Sequence, residues 1–447
     1  MMKTLSMNNP FWKLFWVFAV ILSPVLPLQL YFGGSWYSIL HSYSLGMFFG
    51  IVSYVYFFFT LIAASRIRFF DRLYGHDKVL VFHGYMALSA LLFSVLHYIF
   101  KTMFFEEYTV QIVIGATGLI LFLMISVLTV FFMVNMPVHR IKIIRKLKNY
   151  FVYHFGFDYS LLKLFHNFTA LAFLLITVHI LGASATLEVT SRIIVVGTCS
   201  LLALFTFINH KFLRPVLHYR KSLKVISVNR LADNITEIRM NLPQGRPPHK
   251  AGQYGYFRFL SPLCGRWEHP FTVSSAPQSK ELAITVKKLG NYTEKLPEIM
   301  VGTRVIFDGP YGKFTPVQNG NPLLFIAGGI GITPFLSILS HWEKDRIMVP
   351  LTLIWSCRYF NEMIHFKFFK RIEEQNDNFR FIPIVTGEMV QGCKGRIDSV
   401  FLKNNINVKK ADNISAFICG PEPLLHSASK NLKEIGIRNI YFEKFSY

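Results

Sequence analysis

The chain has 447 residues, of which 52% are hydrophobic and only 16% are charged, and 47 Lys and Arg against 25 Asp and Glu give a formal net charge of +22. Soluble domains usually carry about 25% charged residues, so this composition excludes an ordinary soluble enzyme, and it also excludes a disordered or collagen-like chain. The length is enough for about two or three domains.

Six apolar segments lie in the first half of the chain, and each is close to the ~20 residues that a helix needs to cross a bilayer. They cover roughly residues 11–32, 39–64, 79–100, 110–136, 161–182 and 191–209. After about Lys211 the pattern changes to short β-like runs, such as Tyr254–Leu260, between turns rich in Gly, Pro and charge. The sequence therefore predicts a six-helix α-helical transmembrane bundle followed by a soluble half.

Positive charge is concentrated on one side of the predicted helices, and Lys and Arg in short loops stay on the cytoplasmic side. The opposite side holds only Lys101 and Arg192. We therefore expect a multi-pass protein of the cell (inner) membrane, surrounded by lipid, with both termini cytoplasmic. Because the basic loops border the helices, nucleic acid is not an expected partner. The cytoplasmic set comprises Lys3, Lys13, Arg66, Arg68, Arg72, Lys78, Arg140, Lys142, Arg145, Lys146, Lys148, Lys163, Lys211, Arg214, Arg220, Lys221 and Lys224.

Four histidines fall inside the predicted spans: His83 and His97 in the third, His166 and His179 in the fifth. Ionisable side chains in membrane helices are costly and indicate function. For one histidine alone, ordinary packing is the better explanation, but four on two helices favour a shared role. Their spacings of 14 and 13 residues correspond to roughly 21 and 19.5 Å along a helix, so His83 lies level with His166 and His97 with His179.

Each level could hold one haem between two imidazoles. Iron ligated on both sides has no open coordination position, so such a haem transfers electrons. The 13-residue spacing leaves the second histidine about 140° around an ideal helix, which predicts a local distortion in the fifth span. Phe93 and Phe173 lie between the ligands, although core packing is the better explanation of both.

The soluble half contains a run of hydroxyl-bearing residues, His269-Pro270-Phe271-Thr272-Val273-Ser274-Ser275. Its hydroxyls and backbone amides suit a flavin ring and its ribityl chain. Farther on, Lys287, Gly290 and Thr293 suit a pyrophosphate. Each of these features alone could equally be an ordinary strand end or turn.

Glycines follow the next predicted strand in the run Ala327-Gly328-Gly329-Ile330-Gly331-Ile332-Thr333-Pro334. A glycine-rich turn from a strand into a helix lets a phosphate approach backbone N–H groups, although a plain tight turn explains the pattern equally well. Later strands are followed by Arg358, by Gly395-Arg396 and by Cys419-Gly420-Pro421.

Taken in this order, the motifs resemble those of known families. The soluble half resembles the ferredoxin-NADP reductase family, and the whole chain resembles the NADPH oxidase and ferric reductase transmembrane superfamily, most closely its compact bacterial members. The resemblance implies a membrane domain at 1–215 with two b-type haems, an FAD-binding antiparallel β-barrel at 216–318 and an NADPH-binding α/β domain at 319–447. Electrons would pass from NADPH through FAD and both haems to an acceptor outside.

The resemblance also implies roles for individual residues. The segment His269–Ser275 would contact FAD, and Phe445, or alternatively Tyr447, would stack on the flavin. Arg396 would read the NADPH 2′-phosphate, assisted by Arg358. The remaining contacts would come from Gly328, Gly329, Gly331 and Thr333 at the pyrophosphate, and from Cys419, Gly420 and Pro421 at the nicotinamide.

Two acceptors fit this scheme: O2, reduced to superoxide, and an extracellular ferric chelate. Lys101, one turn beyond His97, could stabilise negative charge developing on O2. The arginine that animal oxidases have on the second helix has no match here, where only His41 lies near the outer end, and this weakens the superoxide case. Glu106 and Glu107 could attract iron, although a solvated acidic loop is the better explanation. A membrane cytochrome that serves a protein partner is the non-enzyme alternative, but it would not need flavin and NADPH motifs of its own.

Overall fold

The computed structural model describes residues 10–32, 38, 40–103, 109–132, 141–155, 159–242, 249–265, 267–393, 395–406 and 408–444. The chain divides into two compact units, Met1–Pro215 and Val216–Tyr447.

Helices form the first unit. Among the described residues, six helical spans, some made of consecutive shorter helices, are long and apolar enough to cross a membrane, which confirms the predicted bundle. The spans are Phe11–Phe32, Ser42–Ala64, His76–Thr102, Val110–Phe132, Leu161–Leu181 and Thr190–Arg220. Individual helices are α1 Pro10–Leu22, α2 Val25–Phe32, α3 Ser42–Ala64, α4 Arg68–Tyr74, α5 His76–Thr102, α6 Val110–Phe132, α7 Lys142–Phe155, α8 Tyr159–His166, α9 Thr169–Leu181, α10 Ser184–Leu187, α11 Thr190–Ile208 and α12 Arg214–Arg220, with a π-helical turn at Asn209–Leu213.

The side chains of these helices separate into a buried core and an apolar exterior. Tyr54, Phe57, Phe122 and Phe173 lie in the core, where the last three are almost fully inaccessible. Large apolar side chains also face outwards along the spans, among them Leu92, Leu123, Leu171 and Leu201. An aqueous surface does not tolerate such a continuous apolar exterior, whereas hydrocarbon does.

The basic loop predicted between the fourth and fifth spans contains an additional helix, α7. Its sequence, KIIRKLKNYFVYHF, places apolar residues at helical spacing between lysines and an arginine. This pattern forms an amphipathic helix, which hydropathy averaged over a longer window does not distinguish from a polar loop.

The second unit begins with six antiparallel strands: β1 Leu223–Ala232, β2 Ile235–Asn241, β3 Tyr254–Phe259, β4 His269–Thr272, β5 Glu281–Lys287 and β6 Arg304–Tyr311. They are hydrogen-bonded in the order β4-β3-β6-β1-β2-β5. A bridge from Val273, just after β4, to Ile284 in β5 joins the two ends of this sheet, so the sheet curls into the predicted barrel. A short helix, α13 Asn291–Lys295, follows β5.

A parallel sheet with helices completes the unit and confirms the predicted α/β fold. Its strands are β7 Leu323–Gly328, β8 Leu351–Cys357, β9 Phe379–Val385, β10 Ser415–Gly420 and β11 Asn439–Lys444, in the order β11-β10-β7-β8-β9. The helices are α14 Thr333–Asp345, α15 Phe366–Gln375, α16 Ser399–Asn405 and α17 Glu422–Glu434. Successive residues of β7 pack into separate cores on the two faces, Phe325 on one and Ile326 on the other.

Candidate functional site

The four membrane histidines meet as two pairs at the predicted levels. In the first pair, His83 on α5 and His166 at the end of α8, the ring centroids are 6.0 Å apart. In the second pair, His97 on α5 and His179 on α9, they are 6.1 Å apart. An imidazole nitrogen binds a first-row metal at about 2 Å, so one ion between the two rings of a pair fits this separation.

A break in the fifth span changes the rotation between its two histidines. The helix stops at His166 and resumes at Thr169. At the break, Asn167 and Phe168 donate to the carbonyls three residues earlier, Leu164 and Phe165. These tighter turns change the rotation per residue, which is the distortion that the spacing predicts.

Each histidine has an oriented Nδ1. Three of them donate to backbone carbonyls: His83 to Thr60 at 3.0 Å, His97 to Gly46 at 2.7 Å and His179 to Gln111 at 2.9 Å. His166 Nδ1 lies 3.1 Å from the hydroxyl of Thr129. A carbonyl oxygen only accepts, so in the first three rings Nδ1 carries the proton and Nε2 keeps its lone pair. This is the arrangement that orients a metal-binding histidine.

Two glycines lie against the second pair. A Cβ at Gly50 would be 2.7 Å from His97 Nδ1, and a Cβ at Gly115 would be 2.5 Å from His179 Nδ1. Across the described residues, no group of three or more His, Cys, Asp or Glu side chains converges on one point. Two histidines per level do not close a site for a bare ion, but they suit a macrocycle that supplies the other ligands, so the residues fit a haem.

Aromatic side chains pack against one another within the bundle. Phe173, midway in sequence between His166 and His179, packs against Tyr54 at 5.7 Å and Phe57 at 5.3 Å. Phe93 packs beside Phe49 at 5.9 Å. Both phenylalanines thus have the packing role that the sequence favoured.

Two of the residues considered for the acceptor, Lys101 and His41, are described in the structure. The Lys101 ammonium lies 3.5 Å from the centre of the Tyr43 ring. His41 caps α3 by accepting from the Tyr43 N–H at 3.2 Å. Glu106 and Glu107 fall outside the described residues, so their attraction for iron stays a prediction.

The predicted flavin segment forms β4 and the turn after it. His269 stacks on Tyr292 with ring centroids 3.6 Å apart, and Phe271 is half-buried beside the same ring. Pro270 is exposed and Thr272 buried. The Ser274 and Ser275 hydroxyls both accept hydrogen bonds, from Thr285 and from the Ala283 N–H. The segment therefore forms an edge strand of the barrel and the turn after it, and two of its hydroxyls already accept hydrogen bonds within the protein.

The three residues predicted for a pyrophosphate have protein partners. Thr293 Oγ1 accepts from the N–H groups of Leu289 and Gly290 at 2.8 and 3.1 Å. Lys287 Nζ lies 2.5 Å from a carboxylate oxygen of Glu362. A phosphate role for Lys287 stays a prediction, and it would compete with this ion pair.

The glycine run and the Cys-Gly-Pro run meet at the carboxyl ends of β7 and β10. A Cβ at Gly331 would be 2.2 Å from the Cys419 carbonyl oxygen, and a Cβ at Gly328 would be 2.9 Å from Pro421 Cδ. Gly420 has φ +155° and lies on Gly328. The chain continues from β7 to β8 on one side of the sheet and from β10 to β11 on the other side. Open α/β sheets bind nucleotides at such a point, where the strand order reverses. The sequence could not show this contact, because some 90 residues separate the two runs.

Two other predicted contacts lie near this point. Gly329 has φ +54°, and no atom lies within 4 Å of its Cβ position. Thr333 is buried, and its hydroxyl donates to the Ile330 carbonyl at 3.1 Å. Cys419 is fully buried. Burial, with the nearby charge of Glu443, raises the pKa of its thiol well above the ordinary value, so the sulfur stays protonated.

Arg358 and Arg396 are both exposed, and their contact with the 2′-phosphate stays a prediction. Arg358 follows β8 and its guanidinium lies 5.3 Å from the Tyr359 ring. Strand β11 ends at Lys444, so Phe445 and Tyr447 fall outside the described residues and their stacking on the flavin stays a prediction.

Two domain families match parts of the second unit. The FAD-binding domain family matches residues 220–315, and the oxidoreductase NAD-binding domain family matches residues 325–430. Ferredoxin NADP+ reductase from Neisseria gonorrhoeae, solved with bound FAD and NADP, is 23% identical, with a TM-score of 0.44, over 50% of this chain and 97% of that one.

Two curated proteins illustrate the range of relatives. A superoxide-generating NADPH oxidase heavy chain of Dictyostelium discoideum is 25% identical over 333 residues, 62% of this chain and 60% of that one. The chain thus spans less than two thirds of that relative. Sulfhydrogenase 1 subunit gamma of Pyrococcus furiosus is 29% identical over 234 residues, 50% of this chain and 76% of that one. The second unit therefore consists of an FAD-binding domain and an oxidoreductase NAD-binding domain. The chain is an NAD(P)H-dependent oxidoreductase in which these domains follow six apolar helices along the sequence.

Proposed function

We propose that this protein moves electrons from cytoplasmic NADPH through FAD and two b-type haems, stacked across the cell membrane, to O2 on the outer side, which is reduced to superoxide. In this proposal the membrane domain covers 1–215, the FAD-binding domain 216–318 and the NADPH-binding domain 319–447. The basic loops keep both termini on the NADPH side.

One observation supports the proposal most strongly: two facing histidine pairs, 6.0 and 6.1 Å between ring centroids, occur in the same chain as the two nucleotide-binding domains. Nicotinamide delivers two electrons at once, and bound FAD and haem would supply the conversion to single electrons and their passage across the bilayer. A chain that holds both kinds of site needs no separate reductase.

The residues of each site have defined tasks in this scheme. The Nδ1 hydrogen bonds would orient the four rings and, in His83, His97 and His179, leave Nε2 with the lone pair that binds iron. The interlocked glycines at β7 and β10 would let the pyrophosphate approach the backbone closely, because no side chain stands there. The buried Cys419 offers the nicotinamide a neutral thiol, and Arg396 with Arg358 binds the 2′-phosphate.

A cation near the second pair favours O2 as the acceptor. Lys101 lies one turn beyond His97, and its side chain runs along Gly46, whose carbonyl holds His97. A positive charge there would stabilise the charge that develops on O2. Reduction of a ferric chelate, and transfer to a partner protein, are the other outcomes to be tested.

Turnover in proteoliposomes tests the acceptor. NADPH oxidation and cytochrome c reduction would be measured with O2, with and without a ferric chelate, and with and without superoxide dismutase. We expect dismutase-sensitive reduction that needs O2. Iron reduction that is insensitive to superoxide dismutase and persists without O2 would identify ferric chelates as the acceptor instead.

The haem assignment has its own test. His83→Ala and His179→Ala should each remove one low-spin bis-imidazole component from the absorption and paramagnetic resonance spectra, because each destroys one pair. A full low-spin spectrum in both variants would refute the ligand assignment whatever the acceptor.

A further inference from the structure

The carboxylate that pairs with Lys287 lies buried beside the parallel sheet, and none of the predicted site roles uses it. Glu362 ends a short 3-10 turn, Phe360–Glu362, four residues after Arg358, and it is 7% exposed. Its Oε1 accepts from Lys287 Nζ at 2.5 Å and from Asn234 Nδ2 at 3.0 Å.

The two donors belong to the other domain of the second unit. Asn234 lies in the turn between β1 and β2, and Lys287 is the last residue of β5. Their loops are tied together, since the N–H of Lys288 donates to the Asn234 carbonyl at 2.8 Å. Glu362 thus joins the α/β domain to two strand ends of the barrel.

This contact favours one arrangement of the two domains, because a buried charge needs all of its hydrogen-bonding partners. Burial alone would raise the pKa of the Glu362 carboxyl, but the hydrogen bonds from Lys287 and Asn234, the Lys287 charge and the Arg358 N–H together hold that pKa below its ordinary value. The group is therefore ionised, and a small movement between the domains would leave a charge buried without its partner.

The same short segment carries a predicted nucleotide contact. The Arg358 carbonyl accepts from the Gly387 N–H at 2.7 Å, and the Phe360 N–H donates to the Glu388 carboxylate at 2.5 Å. One side of the segment is thereby fixed to the loop after β9, and its end is fixed to the barrel through Glu362.

We propose that Glu362 is a positioning residue for hydride transfer, which with Lys287 and Asn234 sets the nucleotide-binding domain at the angle that brings nicotinamide to flavin. The inference rests on the proposed reduction of FAD by NADPH. Reacting atoms must approach to about 3–3.5 Å, and a misplacement of about 1 Å can cost roughly a hundredfold in rate. The role also accounts for Lys287 without a phosphate contact.

Anaerobic stopped-flow reduction of the bound FAD in the full-length protein tests this role. Glu362→Gln and Lys287→Met should each lower the limiting rate at saturating NADPH by about tenfold or more, with FAD content and the NADPH dissociation constant little changed. The double variant should be no slower than the slower single variant, because both changes break one contact. Asn234→Ala removes one hydrogen-bond donor to Glu362 and should slow hydride transfer several-fold. This variant replaces Glu362→Gln in the test if Glu362→Gln does not fold.

Glu343→Gln is the matched control. Glu343 pairs with Arg371 at 2.7 Å within the α/β domain, so its loss should leave the limiting rate unchanged. A wild-type rate in Glu362→Gln would overturn the inference. So would loss of FAD from Lys287→Met alone, which would assign Lys287 to the flavin phosphate. Failure of NADPH to reduce the wild-type flavin would instead overturn the proposed function, and this inference with it.

Discussion

Two glycines control the position of the second histidine pair, and alanine at either one provides a local perturbation. Gly50 on α3 faces His97, and Gly115 on α6 faces His179. In both cases the atom that a new Cβ would meet is Nδ1, which is already bonded to the carbonyl of Gly46 or Gln111. Because this hydrogen bond fixes the imidazole ring, the ring cannot rotate freely away from the new Cβ.

The size of the effect follows from the distances. Ordinary contact begins at 3.4 Å, whereas the new Cβ would lie 2.7 Å from His97 and 2.5 Å from His179, so the rings would have to retreat by roughly 0.7 and 0.9 Å. Metal–ligand distances tolerate only about 0.2 Å. Overpacking of this kind costs about 1–3 kcal/mol, which corresponds to roughly a 5- to 150-fold loss in binding.

Haem content and redox titration measure the result. We expect Gly50→Ala and Gly115→Ala to lose the haem of the second pair, or to shift its potential and spin state, while the haem of the first pair is kept. The total would fall from two haems towards one per chain. A potentiometric titration followed in the Soret band separates the two components without relying on turnover.

Gly197→Ala on α11 is the control, because no atom lies within 4 Å of its Cβ position. It should keep both haems with unchanged potentials. The reasoning would be refuted if Gly50→Ala and Gly115→Ala retained the full complement at wild-type potentials, or if Gly197→Ala lost haem to the same extent.

Three further predictions concern the second unit. Gly331→Ala would place a methyl group 2.2 Å from the Cys419 carbonyl oxygen, so flavin reduction by NADPH should slow at least tenfold with FAD retained, as stopped-flow kinetics would show. The raised pKa of Cys419 should prevent alkylation by iodoacetamide at pH 8 until the protein is unfolded; rapid labelling of the native protein in mass spectrometry would contradict this. The pKa of Glu362 lies below its ordinary 4.5, so its stabilising effect is complete above that pH and is lost as the pH falls through the folded value. The melting-temperature difference between wild type and Glu362→Gln should therefore narrow below pH 4.5, and a constant difference would refute this.

The sequence predicts the membrane half well because hydropathy over about 20 residues is a strong signal. It also predicts which histidines share a level, since their spacing converts directly to height along a helix. It does not predict their Nδ1 partners, because a backbone carbonyl such as that of Gln111 carries no side-chain signature. Nor does it reveal α7, whose alternating lysines and apolar residues read as a basic loop.

Long-range contacts account for most of what sequence reasoning missed in the second unit. The motifs around Gly331 and Cys419 were recognisable separately, but their contact depends on β7 and β10 being neighbours in the sheet. Lys287 suited a phosphate by residue type, whereas the partner that it meets, Glu362, lies 75 residues later. A close approach of glycine to histidine could have been suspected from Gly46 and Gly50, which lie one turn apart on α3.

The break between His166 and Thr169 also divides the fifth span into two helical parts, α8 and α9, that can rotate separately. In a continuous helix, any rotation at one histidine would be transmitted to the other, and both ends would have to be optimised together. Two non-helical residues absorb that rotation, so each end of the span can settle against its own neighbours, α8 near Thr129 and α9 near Gln111. The two levels of the bundle can thus be adjusted independently by substitution.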